Sequence, residues 1–491
     1  MASSAVAAYR ERILNGPIVR TLFWLAWPAI VANVVQMTYN LVDALWLGRL
    51  GRQAFGAPTV SWPLIMLFNA IGMGFSQAGM TLIAQYFGAG DREMSSRCAC
   101  QLITLHTLMS LSISALGVTT IHVFLKLMGV PPDIYPLAVM YSRVIFIGIP
   151  IAFLGFAFLA ILNSLGDTRT PMKLSVISAL INIALDPILI FGLFGLPALG
   201  VVGAAIATVI ARSLITIVGF YMLARGVHGI KLHPRCMKIE GWWLRRVVSI
   251  GIPISIQMSS NALGFTVMMS IVSRFGSVVV AAYGIGIRII DIIQAFTWGI
   301  QRATSIMIGQ CIGAELYERA KRISRTSMTL ITAALGIGAI VIYMLREIVI
   351  AVFVPDPLVI KEGSIFLSYF VWSIPFFGIF FVCNGVAQGS GHPKAMTAIA
   401  ITRLWLFRIG LSILFALYLG MGSIGIWLAM TISNIAAGLL SLAWISRGTW
   451  LRRVIEPRKI PLGQTPFQAQ QNPSSSELRN THNDGNRDNA S

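Results

Sequence analysis

Long apolar runs recur from one end of this chain to the other, and they decide what it can fold into. Leu174–Leu193 and Leu411–Leu419 are two examples. A bilayer core about 30 Å thick takes about 20 apolar residues per helix, and a tally of such runs gives roughly twelve. A water-soluble chain of 491 residues needs polar side chains to cover its surface. Here 11% of the residues are charged, against about 25% in an average soluble protein. Hydrophobic residues make up 56%, and mean hydropathy is +0.77. The expected fold is an all-α integral membrane protein with twelve transmembrane helices.

The net charge of +19 invites a nucleic-acid reading, but the placement of the charges argues against it. With both termini on the cytoplasmic side, most basic residues fall in cytoplasmic segments, including Arg10, Arg12, Arg20, Arg225, Lys231, Arg245, Arg246, Arg319, Arg322 and Arg452. Arg49, Arg52, Lys126, Arg274, Arg346 and Lys361 fall outside. That asymmetry is the positive-inside pattern of a multi-pass protein of the plasma or inner cell membrane. The first apolar span is expected to act as an uncleaved anchor. No Cys-x-x-Cys pair, zinc spacing or histidine cluster occurs.

The chain reads as a duplication. Shifted by 225 positions, Pro28 lands on Pro253, Arg49-Leu-Gly51 on Arg274-Phe-Gly276 and Gly74 on Gly299. Gln85, Gly88, Ala89 and Arg97 land on Gln310, Gly313, Ala314 and Arg322, and Ile149-Pro150 on Ile374-Pro375. After a three-residue change of shift, Gly200 and Gly203 meet Gly422 and Gly425. Matches of Pro, Gly, Gln and Arg are not what chance yields in apolar sequence. Residues 1–20 read as a cytoplasmic amphipathic N-terminus, 21–224 as a six-helix lobe, 225–246 as a cytoplasmic linker, 247–447 as a second six-helix lobe, and 448–491 as a basic, then disordered, tail. An even number of spans per half makes the repeats parallel, related by an axis along the membrane normal, with the substrate cavity between them.

Five segments of the first half and two of the second, in order, carry a family resemblance. PAIVANVVQMTYNLVDALWLGRLG is followed by AQYFGAGDREMSSR, LNSLGDTRTP, NIALDPILIFG and LGVVGAAIAT. GQCIGAELYERAKR and GVAQGSGHP follow in the second half. Together they resemble the MATE family (multidrug and toxic compound extrusion), in particular its DinF-like branch of the MOP flippase superfamily, over roughly residues 15–450. The resemblance implies two six-helix lobes and export of bulky organic, often cationic, compounds in exchange for protons or Na⁺.

An ionisable side chain inside a span costs about 2.5–3.5 kcal/mol on insertion scales and needs a reason to be there. Asp43 lies in the first span, on one helical face with Asn40, Tyr39 and Gln36. Pro28 lies a few turns earlier and offers a bending point. Asp186 lies in the fifth span one turn after Asn182, and Pro187 frees the carbonyl of Ile183. Thr208 in the sixth span supplies a hydroxyl. Carboxylates with an amide oxygen and a hydroxyl suit Na⁺, a hard cation. They suit a proton equally, because dry surroundings disfavour a charged carboxyl. The resemblance implies that Asp43, Asn182, Asp186 and Thr208 form the cation-coupling site, with Tyr39 and Tyr141 joining its network. Hydrogen-bonded packing groups are the alternative reading.

Some MATE proteins keep acids on the seventh and tenth helices. The matching stretches here, IPISIQMSSNALGF and WSIPFFGIFFVCNGVAQG, contain none. The second half offers Arg288, Arg302, Arg403 and Arg408 instead, with Asp291 one turn from Arg288. These read either as an ion pair and snorkelling side chains or as the wall of a substrate cavity. On the second reading Asp291, Arg302, Gln257, Met258 and Asn261 select the substrate. Gly88 and Gly313 are expected to be helix C-caps. No Walker-type loop occurs, so ATP-driven transport is not expected.

The expected function is a secondary active exporter, an antiporter driven by H⁺ or Na⁺, acting as a monomer with no cofactor beyond the coupling ion. A lipid-linked oligosaccharide flippase is the nearest alternative. A membrane-embedded enzyme lacks a nucleophile or metal set beside the two acids.

Overall fold

The structure is a computed structural model that describes residues 2–233 and 236–456. The tail expected to be disordered lies, from residue 457 onward, outside the described residues. Residues up to Val454 form one compact body, and a second unit begins at Ile455.

Helices account for nearly all of the body. An N-terminal helix α1 (Ala2–Asn15) precedes α2 (Ile18–Arg49), α3 (Arg52–Gly88), α4 (Arg92–Leu127), α5 (Tyr135–Ile147), α6 (Ile149–Ser164), α7 (Arg169–Phe191) and α8 (Gly200–Arg225). The second half holds α9 (Gly241–Val272), α10 (Ser277–Gly313), α11 (Tyr317–Met344), the short α12 (Arg346–Phe353), α13 (Pro357–Phe370), α14 (Ile374–Ser390), α15 (Pro393–Ile401) and α16 (Ser423–Ser446). Among the described residues, ten stretches are each long and apolar enough to cross a membrane. The bent pair α5–α6, with 46° between its parts, makes an eleventh. The twelfth is α9, which at 32 residues is long enough. Its apolarity falls short because Gln257, Ser259, Ser260 and Asn261 interrupt it halfway, and Gln257 and Asn261 line a cavity described below.

The duplication is visible in the element boundaries. Ser277 and Gly313, the ends of α10, stand 225 positions after Arg52 and Gly88, the ends of α3. Before each of these helices a glycine turns the chain with positive φ, 110° at Gly51 and 93° at Gly276, where other residues would be strained. The halves join reciprocally, α3 packing on α9 and α10 on α2. A Cβ on Gly74 would meet the Gly251 carbonyl oxygen at 2.9 Å, and one on Gly299 would meet that of Ala26 at 3.1 Å. These contacts flank Pro253 and Pro28, and α2 runs unbroken through Pro28.

At their far ends α3 and α10 cross backbone to backbone. Gly88 and Gly313 are not C-caps, contrary to the expectation from sequence. The capping positions are Ala89 and Ala314. Glycine is required by proximity: a Cβ on Gly88 would stand 2.0 Å from the Gln310 carbonyl oxygen, and one on Gly313 would stand 1.9 Å from that of Gln85. The two glutamines then reach across in matching fashion. Gln85 Nε2 donates to the Gly389 carbonyl at 3.2 Å, and Gln310 Nε2 donates to the Ser164 carbonyl at 2.8 Å. Helix α1 covers this end. Arg10 Nη2 donates to the Gly88 carbonyl at 2.7 Å, and Arg319 Nη2 to the Ile13 carbonyl at 3.0 Å.

The linker after α8 folds back on the first half. His228 Nε2 lies 3.0 Å from Asp167 Oδ2, and Thr170 Oγ1 donates to the same oxygen at 2.7 Å. Burial alone pushes the Asp167 carboxyl up, but the bonds from His228 and Thr170 outweigh it and hold the group below the usual carboxylate range.

Candidate functional site

Two cavities gather several of the polar residues singled out by sequence, the first within the first half and the second lined by residues of both halves. The first has a volume of about 130 Å³ and lies between α2, α6, α7 and α8. Helix α7 buries the stripe Pro171, Leu174, Ser178, Asn182 and Asp186, which turns from apolar to polar halfway along. Small residues let α8 approach it closely, and a Cβ on Gly203 would stand 2.5 Å from the Leu189 carbonyl oxygen. Gln36, Tyr39, Asn182 and Thr208 line this cavity. Tyr39 Oη lies 3.5 Å from Thr208 Oγ1, and Asn182 Nδ2 donates to Asp186 Oδ1 at 3.2 Å.

Asp186 has no exposed surface, and Asn182 is 2% exposed. Three oxygens here are buried without a partner: Asp43 Oδ1, Asn182 Oδ1 and Asp186 Oδ2. An unpaired buried acceptor is costly, and a proton or a hard cation is what such oxygens accept. Asp43 lies near enough for its charge to act on Asp186. Tyr141, on α5, is within electrostatic reach of Tyr39 and both acids. Asn40 sits on the exposed side of α2 and accepts a bond from Gln36 Nε2 at 3.2 Å.

Arg212 also lines this cavity and escaped the sequence reading. It follows Thr208 by four residues on α8, so the spacing that grouped Asn182 with Asp186 would have found it.

The second cavity is larger, about 440 Å³, within the range of small-molecule sites. Gln257, Met258 and Asn261 of α9 and Arg302 of α10 line it. Asp291 is not among the lining residues. It faces Arg288 across 4.0 Å with a partly exposed side chain. Arg403 and Arg408 complete the wall. Both lie on a π-helix, Thr402–Gly410, that continues α15. In an α-helix positions five apart diverge, whereas the i→i+5 repeat of a π-helix brings them into line. Asn434 Oδ1 accepts from both, from Arg403 Nη1 at 3.2 Å and Arg408 Nη2 at 2.8 Å. Among the described residues, no group of three or more His, Cys, Asp or Glu side chains is gathered for a metal ion.

The family model MatE matches residues 28–188 and 253–414. That of the lipid II flippase MurJ matches residues 157–293. The probable multidrug resistance protein YoeA of Bacillus subtilis (strain 168) is 28% identical over 432 residues, covering 87% of this chain and 93% of that one. The FAD transporter of Shewanella oneidensis is 26% identical over 441 residues, covering 88% and 95%. A solved structure of MATE in the bent conformation matches with a TM-score of 0.84 and 23% identity, covering 90% of this chain and 98% of that one.

Proposed function

The chain is a member of the MATE family of the MOP superfamily, and from that membership we propose that it is a secondary active multidrug exporter, an antiporter coupled to inward movement of H⁺ or Na⁺. It is a multi-pass membrane transporter. The relatives named as multidrug resistance proteins support bulky organic compounds as cargo. The observation that carries the coupling reading is the set of three unpartnered buried oxygens on Asp43, Asn182 and Asp186.

In this reading a proton or Na⁺ enters the first-half site when it faces outward. It neutralises buried charge beside α2, which bends near Pro28 and changes its packing on α10. That packing is direct, since Asn33 Nδ2 donates to the Ala295 carbonyl at 3.2 Å. The cargo leaves, the seal at Gly88 and Gly313 opens on the cytoplasmic side, and the ion is released there. A two-state switch of this kind requires the ion to favour one state by several kcal/mol, of order 5 for full conversion.

The test is efflux from proteoliposomes under a pH gradient alone and a Na⁺ gradient alone, with Asp43→Asn and Asp186→Asn beside the parent chain. Loss of coupled efflux in both variants supports the site, and full activity in both overturns it. A lipid-linked flippase remains the second reading, favoured by the MurJ match and by the arginines of the second cavity.

A further inference from the structure

The resemblance drawn from sequence implies cationic cargo, and the chemistry of the second cavity opposes that. Among the described residues, its wall carries Arg302, Arg403 and Arg408 and no carboxylate. Arg302 makes no hydrogen bond or ion pair with any of them and presents an exposed side chain. Arg403 is 6% exposed, and its Nε is buried with no partner. The one oxygen that serves both Arg403 and Arg408 is the neutral Asn434 Oδ1, which offsets neither charge. Asp291, next to the lining residue Ile290, faces Arg288 instead.

Like charges gathered around one cavity without a counter-charge repel, most of all where one of them is buried, and the natural remedy is an anion. Guanidinium groups present paired donors that fit carboxylate, sulfonate and phosphate oxygens. The rest of the wall describes the remainder of the ligand. The Arg403 guanidinium stands 5.0 Å from the Phe380 ring centroid and 5.8 Å from that of Phe377. Met258 and Met268 supply adaptable apolar surface.

We propose that this cavity binds the carboxylate, sulfonate or phosphate group of a bulky, ring-bearing organic anion, with Arg302 and Arg403 as its recognition residues. The proposal rests on the exporter reading only for the statement that this anion is the cargo. A free amphipathic anion and a lipid-linked diphosphate present the same group, and the test separates them.

The experiment uses the full chain purified in detergent and two dyes on one xanthene skeleton, carboxyfluorescein and a cationic rhodamine ester, with binding read by fluorescence polarisation. The carboxylate dye binds more tightly, by about tenfold or more, and Arg302→Gln and Arg403→Gln each weaken it by about tenfold, the scale of one charged hydrogen bond. Arg302→Lys restores part of the loss. Because Arg302 faces open space, its replacement leaves packing intact, and a single symmetric peak in size exclusion confirms the fold. Tighter binding of the cationic dye, or equal binding of carboxyfluorescein by Arg302→Gln and the parent chain, overturns the proposal. Displacement by a short-chain prenyl diphosphate far below the concentration needed of inorganic pyrophosphate assigns the anion to a lipid carrier. Equal displacement by the two assigns it to a free anion. No gradient enters this measurement, so failure of driven transport would sink the exporter reading and leave the anion site standing.

Discussion

Helices α2 and α9 hold equivalent places in the two halves, and they have been put to opposite uses. On α2 the stripe Gln36, Tyr39, Asn40 and Asp43 ends in a carboxylate. The residues 225 positions on are Asn261, Gly264, Phe265 and Met268 of α9, and all four line the larger cavity. Methionine stands where the acid stood, and glycine where the tyrosine stood, with the Leu404 side chain packed against it. The same exchange runs through the following helices. Ser178 of α7, which donates to the Ala211 carbonyl at 2.6 Å, corresponds to Arg403. With the change of shift that aligns Gly200 with Gly422, Arg212 corresponds to Asn434. One scaffold therefore carries a small pocket whose Asn182 is bonded to the buried Asp186 and a large pocket walled by three arginines. Architecture and site chemistry can diverge independently because the glycines and prolines that set helix crossings are not the residues that face the cavities.

The comparison breaks most sharply at Asp186. Asp186→Asn should lower gradient-driven efflux by about a hundredfold, since a lost charged partner is worth about 1.5–3 kcal/mol, while carboxyfluorescein binding in the larger cavity stays within about twofold. A parallel loss of both would show that the two cavities are not chemically separate.

The closing contact tests the opposite claim, that the halves are alike there. Gly88→Ala and Gly313→Ala should each destabilise the sealed state by about 1–3 kcal/mol, the usual cost of overpacking, and by the same amount as each other. Accessibility of a cysteine introduced beside the crossing, read by maleimide labelling, checks this, and a large inequality between the variants would deny the symmetry.

Met268→Asp restores to α9 the acid of α2. It should weaken binding of the anionic dye by about tenfold, by setting a negative charge near the arginines. Unchanged affinity would place the bound anion away from α9.

The smallest effect is expected at the linker. Asp167 is held below the usual carboxylate range, so it stabilises the fold above its unfolded value, about 3.9. That contribution is lost as pH falls through its lower folded value. Asp167→Asn should therefore cost about 1 kcal/mol at neutral pH, and the thermal-shift difference from the parent chain should shrink below about pH 4.

Much of the fold was legible because apolar runs and recurring glycines report on backbone geometry directly. The twelve spans and the offset of 225 are of that kind. What the sequence concealed involved contacts between distant segments. Gly88 read as a cap because its partner, the Gln310 carbonyl, is on another helix. The pairing of Asp291 with Arg288 was legible from their one-turn spacing, but whether Asp291 also reaches the cavity depends on the neighbours of α10. The alignment of Arg403 with Arg408 depends on a π-helix, and five-residue spacing draws no attention on an α-helical wheel. Arg212 was legible by spacing alone, one turn after Thr208 on the same face of α8.

The glutamine contact at the end of α3 and α10 has one further consequence. Each glutamine holds the other half by the same atoms, so the contact maps onto itself under the repeat. Two separate copies of a six-helix chain would close against each other through the same pair of bonds, as an isologous interface. The seal thus belongs to the repeat unit as much as to the whole chain, whereas the unlike cavities require that the two copies differ in sequence.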